Sequence, residues 1–190
     1  MSIDFNTAPE QRAFDLIPAD TICAVKMTIR PGGHGEDKML KRSKDGGCEM
    51  LDCEFVVVDG PYAGRKFWES LVVNGTTTGH AKAAEISRGR LRGILESARG
   101  IKRGDTSEEA RKARIASLGD FEGMMFIAKI GIEKGAAKAN GEFWPDKNSL
   151  AEAVTPERKG WYAPLPREED QFFRASEQQE QPITKPGWAS

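Results

Sequence analysis

Lys66 and Trp68 stand two residues apart in the stretch Cys53 to Val73, CEFVVVDGPYAGRKFWESLVV. Residues two apart on an extended strand share a face, so an ammonium and an indole point the same way, with Ser70 beyond them. Arg65, Phe67, Glu69 and Leu71 take the other face. The chemistry this pair offers is non-covalent. A ring stacks a base and a neighbouring cation meets its phosphate, which is what a single-stranded nucleic-acid platform uses. Phe67 reads instead as a core residue.

More cations and rings lie at a distance along the chain. Lys26 sits on the first strand. Lys38, Lys41, Arg42 and Lys44 crowd the segment His34 to Gly47, where Glu36, Asp37 and Asp45 oppose them. Such a run is most often a solvated loop, so its weight depends on where the fold places it. Lys134 and Lys138 lie in the segment 134–141, which leads to Phe143 and Trp144. Together with Arg65, these are the candidate nucleic-acid-binding residues.

Catalytic and metal sets are thin. His34 and His80 are the two histidines, each beside glycine in a polar setting. Cys23, Cys48 and Cys53 lack the paired spacing of a zinc site, and Cys23 and Cys53 fall on apolar strand faces. No phosphate loop of the Gly-x-x-x-x-Gly-Lys-Ser/Thr kind occurs. Asp20, Glu54, Asp59 and Asp120 are acids that a metal-dependent nuclease would need, but they are scattered. The expectation is a binding protein with no catalytic residues, no metal and no cofactor.

The elements that must position these groups follow from period and punctuation. Thr21 to Arg30 alternates, with Cys23, Val25, Met27 and Ile29 as its buried face. Cys48 to Val58 buries Leu51, Cys53, Phe55 and Val57. Asp59 to Gly64 turns the chain, Pro61 fixing one dihedral, and Arg65 to Val73 returns as a third strand. His80 to Gly100 has helical spacing through Ala83, Ile86, Leu91, Ile94, Leu95 and Ala98, with Thr78 as its cap. A second helical piece lies within 102–117, capped by Thr106 or Ser107. Asp120 to Glu133 is a fourth strand, with Met124, Phe126, Ala128, Ile130 and Ile132 buried. A hairpin over 134–141 leads to a fifth strand from Glu142, interrupted at Pro145.

Three strands, a helix and two strands is the order of an oligonucleotide-binding fold, a five-stranded barrel. The expected class is therefore all-β with one or two helices. Residues 1–20 are expected to form an arm that Phe5, Phe14, Leu16 and Ile17 could pin to the core, residues 21–155 the domain, and residues 156–190 an extended, largely disordered tail containing Pro, Gln and Glu.

Composition sets outer bounds. The chain has 190 residues, 38% hydrophobic content and a net charge of −1, with a mean hydropathy of −0.54 and a pI near 6.2. Overall charge does not mark a polyanion binder, so only local concentration of cations carries that reading. No apolar run is long enough for a membrane span, and the N-terminus has no secretion signal, so an intracellular location is expected. The odd, sparse cysteines argue against a disulfide framework.

One set of segments is distinctive: Leu16-Ile17-Pro18-Ala19-Asp20-Thr21, Val58-Asp59-Gly60-Pro61-Tyr62-Ala63-Gly64-Arg65-Lys66-Phe67-Trp68, the helix after the Thr-rich loop, Phe121-Glu122-Gly123 and Gly131-Ile132-Glu133-Lys134. In these the chain resembles a family of bacteriophage early proteins usually encoded among replication and recombination genes. The resemblance covers roughly residues 14 to 145. It implies an oligonucleotide-binding fold, single-stranded DNA binding largely without sequence preference, no catalytic motif, and a place in the host bacterial cytoplasm. Expected partners are single-stranded DNA, with RNA not distinguished from it, and replication or recombination proteins met through the tail. A homo-oligomer is compatible with both. The tail departs from bacterial single-strand binders: Glu168-Glu169-Asp170 is internal and the chain ends Lys185-Pro186-Gly187-Trp188-Ala189-Ser190. The alternative is a barrel used as a protein-interaction module with weak nucleic-acid affinity.

Overall fold

Alternating apolar residues build the sheet. In the computed structural model, which describes residues 15–164, the elements are β1 (Ile22–Arg30), β2 (Leu40–Arg42), β3 (Cys48–Val57), β4 (Lys66–Gly75), α1 (Thr78–Arg99), α2 (Glu108–Lys112), β5 (Met125–Glu133) and β6 (Lys147–Ala153). Expectations for the arm before Asp15 and for the tail after Pro164 lie outside the described residues. The protein is mostly β, with one long helix between β4 and β5. Among the described residues no helix is long and apolar enough to cross a membrane.

The six strands form one antiparallel sheet in the order β4-β3-β1-β5-β6, with β2 also on β3. Strand β3 is long enough to serve two partners on one edge. Its Glu49 to Leu51 pair with β2, and its Asp52 to Val57 pair with β1. The count is thus six strands, not five. The extra one forms inside the segment expected to be a polar loop, because Leu40 is apolar among its charged neighbours and packs into the core opposite Leu51.

The inward face is the expected one except at the end of β5, where Ile132, expected to be buried, is exposed. Cys23, Val25, Met27, Ile29, Leu51, Cys53, Phe55, Val57, Phe67 and Leu71 are all buried. Phe55 stacks on Phe67 with centroids 5.1 Å apart and meets Phe126 edge-on at 5.9 Å. Helix α1 closes the core with Leu91, Ile94 and Leu95. Thr77, one residue before the expected cap, accepts a hydrogen bond from the His80 backbone N–H, and Gly100 ends the helix at φ 67°. Ile86 is exposed, and Ala84 and Ser87 are the buried residues of that turn. Two arginines of α1 are tied into the structure: Arg92 donates to buried Glu96 at 2.9 Å, joined by Arg114 from beyond α2 at 2.7 Å, and Arg90 pairs with Glu69.

Two departures from simple alternation come from distant covers. Ala24 and Ile127 point to the outer face and are nevertheless buried, because Val154 and Trp161 pack over them. Trp161 also donates its indole N–H to the Ser97 carbonyl at 3.1 Å, and Tyr162 hydrogen-bonds Asp59. Residues 156–164, read from the sequence as the start of a disordered tail, therefore turn back onto the sheet.

No ladder joins β4 to β6 among the described residues, so the expected barrel is not closed. The end of the arm sits at that gap. Ile17 is fully buried. Its backbone N–H donates to the Asn148 side chain at 2.9 Å, and its carbonyl accepts from the same amide at 2.8 Å. Arg65 donates to the Asp15 carbonyl. Side-chain to backbone bonds thus stand where ladder bonds would otherwise run.

Candidate nucleic-acid interface

The outer face of β1, β3 and β4 is built in rows set by register. Lys26, Val56 and Lys66 lie side by side, then Thr28, Glu54 and Trp68, then Arg30, Asp52 and Ser70. Lys41 on β2 reaches the last row. Trp68 is 45% exposed although its neighbour Phe67 is 2% exposed, as the two-residue period requires. The ring is therefore available on a rigid strand rather than sealed inside.

Lys66, Arg30 and Lys41 on this face are held by carboxylates. Glu54 accepts from Lys66 Nζ at 2.8 Å and from Trp68 Nε1 at 3.0 Å. Asp52 accepts from Arg30 Nη2 at 2.6 Å and from Lys41 Nζ at 3.2 Å. The hydrogen bond from Lys66, joined by that from Trp68, outweighs the opposing effect of burial and holds the Glu54 carboxyl below its ordinary range. At Asp52 burial opposes the charge, yet the bonds from Arg30 and Lys41 prevail and its carboxyl is also lowered.

A cleft of about 420 Å³ runs along this face into the gap between β4 and β6. Arg30, Lys41, Arg65, Lys66 and Trp68 line it together with Asp52. Leu16 of the arm and Asp146, Lys147 and Asn148 at the start of β6 form the far wall.

Phe143 and Trp144 do not lie on the last strand. They belong to a hairpin over 134–146. Lys138 N–H donates to the Glu142 carbonyl at 2.6 Å and Trp144 N–H to Ala136 at 2.9 Å, while Ala137 and Phe143 form a bridge. Pro145 has no N–H to carry the ladder on, and β6 starts only at Lys147. Phe143 is 69% and Trp144 60% exposed. Lys138 Nζ stands 4.9 Å from the Trp144 ring centroid and pairs with Glu142, and Lys134 Nζ meets Asp146 at 2.6 Å. Asp146, at the hairpin's base, lines the cleft, which ties the hairpin to the platform.

Of the residues singled out from the sequence, the cleft brings together Lys41, Arg65, Lys66 and Trp68. Lys26 lies on the same face one row from Trp68. Lys134, Lys138, Phe143 and Trp144 form the neighbouring hairpin. Arg42 lies elsewhere, beside Gly46, Gly47 and Asn74 near the start of α1. Lys38 sits in the β1–β2 connection at φ 57°, and Lys44 in the β2–β3 turn; neither lines the cleft. Sequence reasoning missed Arg30 and Asp52, and gave Glu54 no place on the platform. Arg30 was within reach, since it continues the parity of Lys26 and Thr28. The two acids become visible only when β3 is placed between β1 and β4.

The scattered acids are engaged separately. Asp20 pairs with Lys129 at 2.7 Å, Glu54 with Lys66, and Asp59 with the Ala24 N–H at 2.9 Å. Among the described residues no group of three or more His, Cys, Asp or Glu is placed to hold a metal ion. No family model matches the chain, and no curated protein matches it.

Proposed function

We propose that this protein binds single-stranded DNA, largely without sequence preference, as a phage replication or recombination protein built on an oligonucleotide-binding barrel. One observation carries the reading. Trp68 presents an exposed ring on a sheet face, in a cleft that also gathers Lys66, Arg30 and Lys41. Stacking on a strand-borne aromatic ring beside backbone-tracking cations is the usual device for holding single strands. The hairpin whose base residue Asp146 lines the cleft carries exposed Phe143 and Trp144, a second pair of rings for stacking.

The barrel assignment draws support from the five longer strands. With β2 set aside, they run in the order expected of that fold, with α1 after the third of them, and the fold is by nature partly open. The role is binding and not catalysis. The experiment is a titration of a labelled oligo(dT) across a range of salt, where loss of affinity with rising salt reports phosphate contacts.

A protein-interaction role has one observation in its favour. Asp52 and Glu54 already neutralise much of the platform's positive charge. Absence of oligonucleotide binding at low salt would select it.

A further inference from the structure

The carboxylates on the platform are spaced as regularly as the cations. The rows through Lys66, Trp68 and Ser70 are two residues apart, roughly 7 Å per step on an antiparallel strand. Lys66 lies on one side of the Trp68 row. Arg30 and Lys41, both on Asp52 beside Ser70, lie on the other. A cationic station thus flanks the ring on each side, at about the reach of one extended nucleotide. Glu54 sits in the ring's own row and holds the first station; Asp52 holds the second. Both acids are largely covered, with side-chain exposures of 20% and 12%, while their cations are about half exposed. An approaching phosphate therefore meets the cation first.

Resting on the single-strand reading, we propose that Glu54 and Asp52 are resident counter-ions of this platform. They hold Lys66 and the Arg30–Lys41 pair until two phosphates, one on each side of a base stacked on Trp68, take those cations over. The exchange is ionic; no bond forms or breaks. Its consequence is that each acid offsets a positive charge that would otherwise neutralise a phosphate, so both lower the affinity and flatten its salt dependence. Glu54 also fixes the indole edge through Nε1, so it is a positioning residue for the stacking ring.

The test uses the full chain, fluorescent oligo(dT) and anisotropy over a salt series. Glu54→Gln keeps the side chain's shape and removes its charge. Expected is a tightening of about two- to fivefold at low salt, the scale of an exposed ion pair. The plot of log affinity against log salt should also steepen by about 0.7, the share of one phosphate on a single strand. Asp52→Asn should act in the same direction. In a Lys66→Gln background the effect of Glu54→Gln should vanish, because the cation it restrains is gone. Wild-type binding with affinity and slope unchanged in Glu54→Gln overturns the counter-ion proposal alone. So does a gain that persists without Lys66. A wild type that binds no oligonucleotide at low salt overturns the single-strand reading and this proposal together.

Discussion

Glu54 on β3 and Trp68 on β4 are direct cross-strand partners, and the Trp68 indole N–H donates to the Glu54 carboxylate at 3.0 Å. The bond holds a large exposed ring by its edge and leaves the faces of the indole unused by it. Phe67, one residue earlier, points the other way and stacks on Phe55. One strand thus carries a core ring and a surface ring side by side.

That contrast separates folding from binding. Phe67→Ala should cost about 3–5 kcal/mol of stability by opening the core around Phe55. Trp68→Ala should leave the urea midpoint nearly unchanged and weaken oligonucleotide binding by ~1–3 kcal/mol, the worth of one stacked base. Denaturation and anisotropy on the two variants check both. A destabilised Trp68→Ala would assign that ring to structure.

The hairpin over 134–146 should behave as a second station. Trp144→Ala is expected to keep the fold, since the ring is exposed, and to weaken oligonucleotide binding by ~1–3 kcal/mol. Quenching of tryptophan emission by oligo(dT) should shrink in the same variant. Unchanged affinity and unchanged quenching would remove the hairpin from the interface.

Asn148 ties the arm to β6. Its amide serves both backbone groups of Ile17 and reaches the Gly131 carbonyl at 3.3 Å. Asn148→Ala leaves those buried groups without that partner, at a cost of about 1–3 kcal/mol. Urea melts measure the loss. A midpoint equal to that of the wild type would show that the arm is not held at the gap by these bonds.

Much of the inner face was legible because burial with a period of two is a local property. Val25, Met27, Phe55 and Phe67 follow from it directly. What was not legible depends on partners far along the chain. Ala24 and Ile127 are buried by Trp161, more than thirty residues beyond either. Leu40 makes a strand inside a charged run only because Leu51 stands opposite. The same holds for the site. Lys66 and Trp68 share a face by spacing alone, but their common carboxylate comes from another strand, and its place is fixed by register. Ring and cation were readable, whereas their counter-ions were not.

Stability should have a plateau bounded on both sides by titration. Glu54 and Asp52 titrate lower in the folded chain than in the unfolded one. The stability they lend is therefore full above roughly pH 5 and is lost as acid protonates them, since the unfolded state takes up protons first. Burial raises the Cys53 thiol to about 12 and the Cys23 thiol to about 11. The folded chain thus keeps those protons longer, and stability should fall as pH rises from about 9 toward those values. Urea midpoints across the pH range check the two slopes. A midpoint that rises on acidification below pH 4 would contradict the assigned ion pairs.

The most direct measurement is binding of fluorescent oligo(dT) to the full chain as salt is raised. Binding at low salt is expected, with log affinity falling linearly against log salt at about 0.7 per phosphate contacted, and with a marked loss in Trp68→Ala. No binding at low salt, or binding indifferent to both salt and Trp68, would contradict a single-strand platform on this sheet.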